Sequence, residues 1–157
     1  MSSPSASVVV QAPPEKVWAL VADVTRMGEW SPETRRAEWV EGATGPDVGA
    51  RFKGHNQRGP IARWTTTCTV VESEPGRVFA FSVGDPAAPD TIWRYSFVPA
   101  PDDATMVTET CEVQKAIALR YKVGHLMFGV TDREADLKSG IEKTLAKLQV
   151  AARAANL

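Results

Sequence analysis

Hydrophobic and polar positions change their rhythm twice along the chain. Val8-Val9-Val10 is a β-branched run halted by Ala12-Pro13-Pro14, which predicts a first strand ending there. Pro14 suits a first helical position and Glu15 the positive end of a helix dipole, while Val17, Trp18, Leu20 and Val21 give a short helix one apolar side. Asp23 and Thr25 are candidate caps for a second short helix, Arg26 to Trp30, which Ser31-Pro32 ends. Strands are then expected at 34–41, 49–58, 61–73, 77–84, 91–99 and 104–113, separated by segments rich in Gly, Pro and Asp. The short spacings imply hairpin-linked antiparallel strands, about seven with the first. Finally Leu126, Val130, Leu137, Ile141, Leu145 and Leu148 recur at steps of three, four and seven, the stripe of a long amphipathic helix. Thr131 or Asp132 is its expected cap, and Lys138, Glu142, Lys143 and Lys147 fall outside the stripe. Strand, two short helices, strands and a long helix give an α+β order, with the last helix lying on one sheet face.

Composition narrows the function classes more than it names one. The 157 residues fit a single domain spanning 1–157, and 43% hydrophobic with 24% charged residues is ordinary for a globular chain. Eighteen basic against 19 acidic side chains leave a net charge of −1, with no Lys/Arg run, so no nucleic-acid partner is expected. Cys68 and Cys111 lack CxxC spacing and His55 and His125 stand far apart, so no metal or other cofactor is expected; the two thiols read as small buried hydrophobes. Met1 to Ser7 lacks a signal-peptide pattern and no apolar run nears the ~20 residues that span a bilayer, so stable membrane insertion is not expected and the chain reads as cytoplasmic.

Several segments carry a likeness to a known group. They are Ala12-Pro13-Pro14-Glu15-Lys16-Val17-Trp18, Asp23 with Trp30-Ser31-Pro32, Gly49-Ala50-Arg51-Phe52, Arg63-Trp64-Thr65-Thr66, Glu74-Pro75-Gly76-Arg77 and Trp93-Arg94-Tyr95-Ser96-Phe97. In order and spacing the chain resembles the SRPBCC, or START-like, helix-grip superfamily of START lipid-transfer domains, pollen allergens and polyketide cyclases. It is most similar to the bacterial group called polyketide cyclase/dehydrase-like. The resemblance runs from about Ser7 to Leu148 and implies a curved antiparallel sheet wrapped around the C-terminal helix, with a cavity between them. It does not by itself imply catalysis.

Alternation divides each strand into two faces. One face collects Phe52, Gly54 and Asn56; Trp64, Thr66, Cys68 and Val70; Phe79, Phe81 and Val83; Trp93, Tyr95 and Phe97; and Val107, Glu109, Cys111 and Val113. These sets are assigned to the concave face beneath the long helix. Glu109 stands out as a carboxyl in an apolar register. It reads either as a ligand-orienting or acid/base group, working with Asn56 or Tyr95, or as a rim residue or ion-pair partner of Arg63 or Arg94. Trp93 and Tyr95 suit a flat aromatic ligand or plain core packing. Trp18, Trp30 and Trp39 are expected to pack the short helices onto the sheet, and His55 to face the convex, solvent side. Gly124-His125-Leu126-Met127-Phe128-Gly129 suggests a bend or entrance, or simply a helix start. Arg133 reads as a carboxylate-binding group or a surface ion pair. The candidate ligand-binding set is therefore Phe52, Asn56, Trp64, Phe81, Trp93, Tyr95, Glu109, His125, Met127, Phe128 and Arg133, with no catalytic residue assigned.

Three functions fit this pattern. The first is binding or transport of a hydrophobic small molecule, lipid or aromatic polyketide-like, which needs an apolar cavity with a few placed polar groups. The second is a polyketide cyclase, aromatase or dehydratase (a lyase in the last case), with Tyr95, Glu109 or His125 moving protons. The third is a protein-interaction or chaperone-activator-like module with a nearly closed cavity. Monomer and homodimer both remain open.

Overall fold

The computed structural model describes residues 3–114 and 133–154. Seven antiparallel strands form one sheet: β1 (Ser5–Val10), β2 (Thr34–Val40), β3 (Arg51–Arg58), β4 (Ala62–Glu74), β5 (Val78–Val83), β6 (Thr91–Ala100) and β7 (Ala104–Val113). Helix α1 (Pro14–Ala22) and a 3₁₀ helix (Val24–Glu29) follow β1, and α2 (Arg133–Ala154) comes last. The spatial order is β1-β7-β6-β5-β4-β3-β2. The first two strands are therefore the opposite edges, and α1 with the 3₁₀ helix carries the chain from one edge to the other. With α2 against the concave side, this is the helix-grip arrangement.

Local chemistry explains these bounds. Pro14 opens α1, and Asp23 accepts from the Thr25 amide to cap the second short helix. That helix begins two residues earlier than Arg26 and is 3₁₀ rather than α-helical. Its amide-to-carbonyl bond from Trp30 to Met27 is the tight i to i+3 kind, and Ser31 also closes onto Met27. Gly28 is needed there, because a Cβ would stand 2.1 Å from the Arg35 carbonyl oxygen of β2. Gly76, in the turn between β4 and β5, has φ +76° and lies against Glu15, so that hairpin and α1 approach closely.

The core lies on the concave face. Phe52, Phe79, Phe81, Tyr95, Phe97, Val107 and Cys111 meet Leu137, Ile141, Leu145 and Leu148 of α2, all buried. Lys138, Glu142, Lys143 and Lys147 are exposed and fall outside the buried stripe of that helix, as its periodicity predicts. Phe52 is edge-on to Trp39 and to Phe81, at 5.7 and 5.1 Å between ring centroids. Trp39 thus joins the aromatic stack on the sheet. Trp18 and Trp30 do sit at the short helices: the Trp18 indole donates to the Val78 carbonyl at 2.8 Å, and Trp30 is buried. Alternation breaks at a register shift in β2 between Thr34 and Arg36, and at a bulge in β4, where Val70 opposes Phe81 and Glu72 opposes Ala80, leaving Val71 unopposed and turned out.

The convex face carries polar and charged side chains together with the exposed Val9, Met106 and Val98. Ser5 and Ser7 of β1 pair their hydroxyls with Thr110 and Thr108 of β7. Arg94 bridges Glu72 and Glu112 across the middle of the sheet. His55 faces this side, as alternation predicts, and meets Glu38 at 2.8 Å. Cys68 and Cys111 are both buried. Among the described residues no helix is long and apolar enough to cross a membrane.

Candidate functional site

A cavity of about 440 Å³ opens between the concave face and α2. Its size falls in the ordinary range for small-molecule sites. The strand registers assemble its wall: Phe52 lies opposite Cys68, Asn56 opposite Trp64, Phe81 opposite Trp93 and Tyr95 opposite Glu109. Each pair points the same way because directly opposed residues share a face. Met27 and Trp30 close one end, and Leu137, Gly140 and Thr144 of α2 close the top.

The wall mixes aromatic and polar side chains, and its ionisable carboxyl and basic groups fall into two places. At the mouth, Arg58 of β3 donates from Nη2 to both carboxylate oxygens of Asp136 on α2, at 3.0 and 3.2 Å, and lies 3.9 Å from Glu33. Trp64 and Lys143 line this exposed end. At the buried end the Tyr95 hydroxyl donates to Glu109 Oε1 at 2.8 Å. Glu109 is 2% exposed, and its Oε2 has no hydrogen-bond partner among the described residues.

Burial dominates the electrostatics of that pair. Withdrawal from water pushes the Glu109 carboxyl up to about 8, and the Tyr95 hydrogen bond only partly offsets this. Tyr95 itself is held well above the ordinary phenol range, first by burial and then by the neighbouring carboxyl. Burial likewise pushes the Cys68 thiol up to about 12. At neutral pH the inner wall therefore carries a neutral acid, a phenol and a thiol.

Seven of the sequence-predicted residues meet here: Phe52, Asn56, Trp64, Phe81, Trp93, Tyr95 and Glu109. Glu109 is neither a rim residue nor an ion-pair partner of Arg63 or Arg94. Arg94 points to the convex face and Arg63 is exposed. Asn56 lines the same cavity but its hydrogen bonds go elsewhere. It accepts from the Thr34 hydroxyl at 2.8 Å and donates to the Thr66 hydroxyl at 3.2 Å, which ties β2, β3 and β4 together. Trp64, at 39% exposed, belongs to the mouth rather than the inner wall. His125, Met127 and Phe128 lie outside the described residues, as does the side chain of Arg133. Arg58 and Asp136 escaped sequence reasoning because Arg58 stands beside a Gly59-Pro60 turn and Asp136 in a charged stretch, both ordinary solvent-facing settings. Only the fold brings a strand end and a helix start together.

The sequence pattern of the family described as polyketide cyclase / dehydrase and lipid transport matches residues 1–153. A solved polyketide-cyclase-like protein of Corynebacterium glutamicum is 32% identical, over 96% of this chain and 90% of that one, with a TM-score of 0.53. A protein of Nitrosomonas europaea shares the fold at 12% identity, covering 98% and 96% of the two chains with a TM-score of 0.71. One of Thermus thermophilus does so at 21% identity, covering 99% and 100%, with a TM-score of 0.64. No curated protein matches the chain.

Proposed function

The chain belongs to the polyketide cyclase / dehydrase and lipid transport family, and from that premise we propose that it binds or carries a hydrophobic small molecule in the cavity beneath α2. One observation carries this reading: a space of about 440 Å³ walled largely by aromatic side chains, with the buried Tyr95–Glu109 hydrogen bond at its inner end and Asn56, bonded to Thr34 and Thr66, on its wall. Such a site rewards an apolar ligand by area removed from water and orients it with few polar contacts. Lipid and aromatic polyketide-like molecules both answer that description. Native mass spectrometry of freshly purified protein, repeated after denaturation, tests it. A non-covalent adduct that denaturation removes is the expected result. Failure to take up any apolar probe, natural or supplied, would sink the reading.

A second reading, cyclisation or dehydration of a polyketide-like chain, is favoured by the proton that Glu109 keeps near neutral pH. A general acid works best with a pKa close to the operating pH. The Glu109→Gln variant separates the two readings. A carrier keeps its ligand, whereas an enzyme binds its poly-ketone chain and loses turnover by ~100-fold or more.

A further inference from the structure

The two oxygens of the Glu109 carboxyl are not equivalent. Oε1 accepts the Tyr95 hydroxyl at 2.8 Å, while Oε2 is buried on the cavity wall with no partner among the described residues. A neutral carboxyl has one hydroxyl to donate. With Oε1 already accepting from Tyr95, the proton belongs on Oε2. We propose that Glu109 is the specificity-determining residue of the cavity, donating from Oε2 to an uncharged oxygen acceptor of the ligand, such as a ketone or ester carbonyl, and turning away a carboxylate. This inference rests on the cavity-binding reading above.

Placement of the charges supports it. The cations lining the cavity, Arg58 and Lys143, stand at the exposed mouth, where Arg58 is already engaged by Asp136. A ligand anion at the inner end would lose its water beside Glu109 with no described cation to receive it, which is costly. An apolar group there would leave the Oε2 hydroxyl unpaired, also at a cost. A neutral acceptor satisfies both conditions. The titratable or charged groups that share the cavity are Tyr95 on β6, Cys68 on β4, Asp136 and Lys143 on α2, Arg58 on β3, and Glu33 ahead of β2. Tyr95 and Cys68 hold their protons to still higher pH than Glu109. Loss of the Glu109 proton above about pH 8 removes the donor, so acceptor binding is linked to pH.

The test compares three probes of one shape: 2-acetylnaphthalene, 2-ethylnaphthalene and 2-naphthoate. On the full chain at pH 6.5 the ketone is expected to bind about tenfold more tightly than the hydrocarbon, the factor one buried hydrogen bond supplies, and the carboxylate more weakly than the ketone. Glu109→Leu should bring the ketone-to-hydrocarbon ratio near unity. Glu109→Gln should restore it, because the amide can accept from Tyr95 and donate to the ligand. The carbonyl stretch of bound 2-acetylnaphthalene should fall in wavenumber in the natural chain and in Glu109→Gln, but not in Glu109→Leu. Ketone affinity should drop between pH 7 and 9 in the natural chain and stay level in Glu109→Gln. Ketone preference that survives in Glu109→Leu, or tighter binding of the carboxylate, overturns the inference. If the hydrocarbon binds and no ketone preference exists, this inference fails and cavity binding stands. If none of the three binds, both fail.

Discussion

Folding places a carboxyl at position 109 where water cannot reach it, and the consequence is a pH-dependent stability. The folded pKa of about 8 lies above the ordinary carboxylate value, so the folded state holds a proton that the unfolded chain gives up. Glu109's contribution is therefore fully favourable below the unfolded pKa, near 4.5, and is lost as pH rises through about 8. The slope for one such group is ~1.4 kcal/mol per pH unit within that window. Denaturant unfolding measured from pH 4.5 to 9 should show this decline in the natural chain and its absence in Glu109→Gln. Parallel curves for the two proteins would refute the buried-acid account. The residue was visible in the sequence because a charged side chain interrupts an apolar register; its partner was narrowed there only to Asn56 or Tyr95. Alternation put Tyr95 and Glu109 on the same face, but their register, Tyr95 directly opposite Glu109, is set by the β6–β7 turn and emerges only from the sheet.

Among the elements, the 3₁₀ helix has the tightest seat. Gly28 brings its backbone against the Arg35 carbonyl of β2, with no room for even a methyl group. Gly28→Ala is expected to cost about 1–3 kcal/mol, and more if the helix lifts off β2. Thermal unfolding will measure that cost, and a melting temperature matching the natural chain would show that the contact yields freely. Since Met27 and Trp30 close the cavity from this helix, the same variant should also weaken probe binding. Sequence rhythm located nearly every element because the apolar residues repeat by two along strands and by three and four along α2. It missed the 3₁₀ geometry and the Val71 bulge, since neither alters the local composition. A bulge is one extra residue in a β-branched run, and only the partner strand reveals it. The entrance expected around His125 lies outside the described residues.

Over the whole molecule, the Arg58–Asp136 pair is the tie across the cavity mouth, joining β3 to the first turn of α2. Both side chains are exposed, so solvent screens the pair and its removal should change stability by less than about 1 kcal/mol. Its effect belongs to rate instead. Arg58→Ala should speed release of a bound naphthalene probe in stopped-flow measurements while leaving the melting temperature nearly unchanged. Equal release rates would assign the pair to the surface alone. The edges β1 and β2 are held differently: Gln149 of α2 donates to the Val9 carbonyl at 2.6 Å, and β2 carries Arg35, Arg36 and Glu38. Charged side chains on an exposed edge discourage pairing with a second sheet. Finally, Cys68 gives the molecule a clock. Its thiol sits on the cavity wall and is almost wholly un-ionised at neutral pH, so alkylating reagents must wait for the cavity to breathe. The rate at which Cys68 is modified, read peptide by peptide, should count those openings, and it should slow in proportion to occupancy when a ligand fills the space.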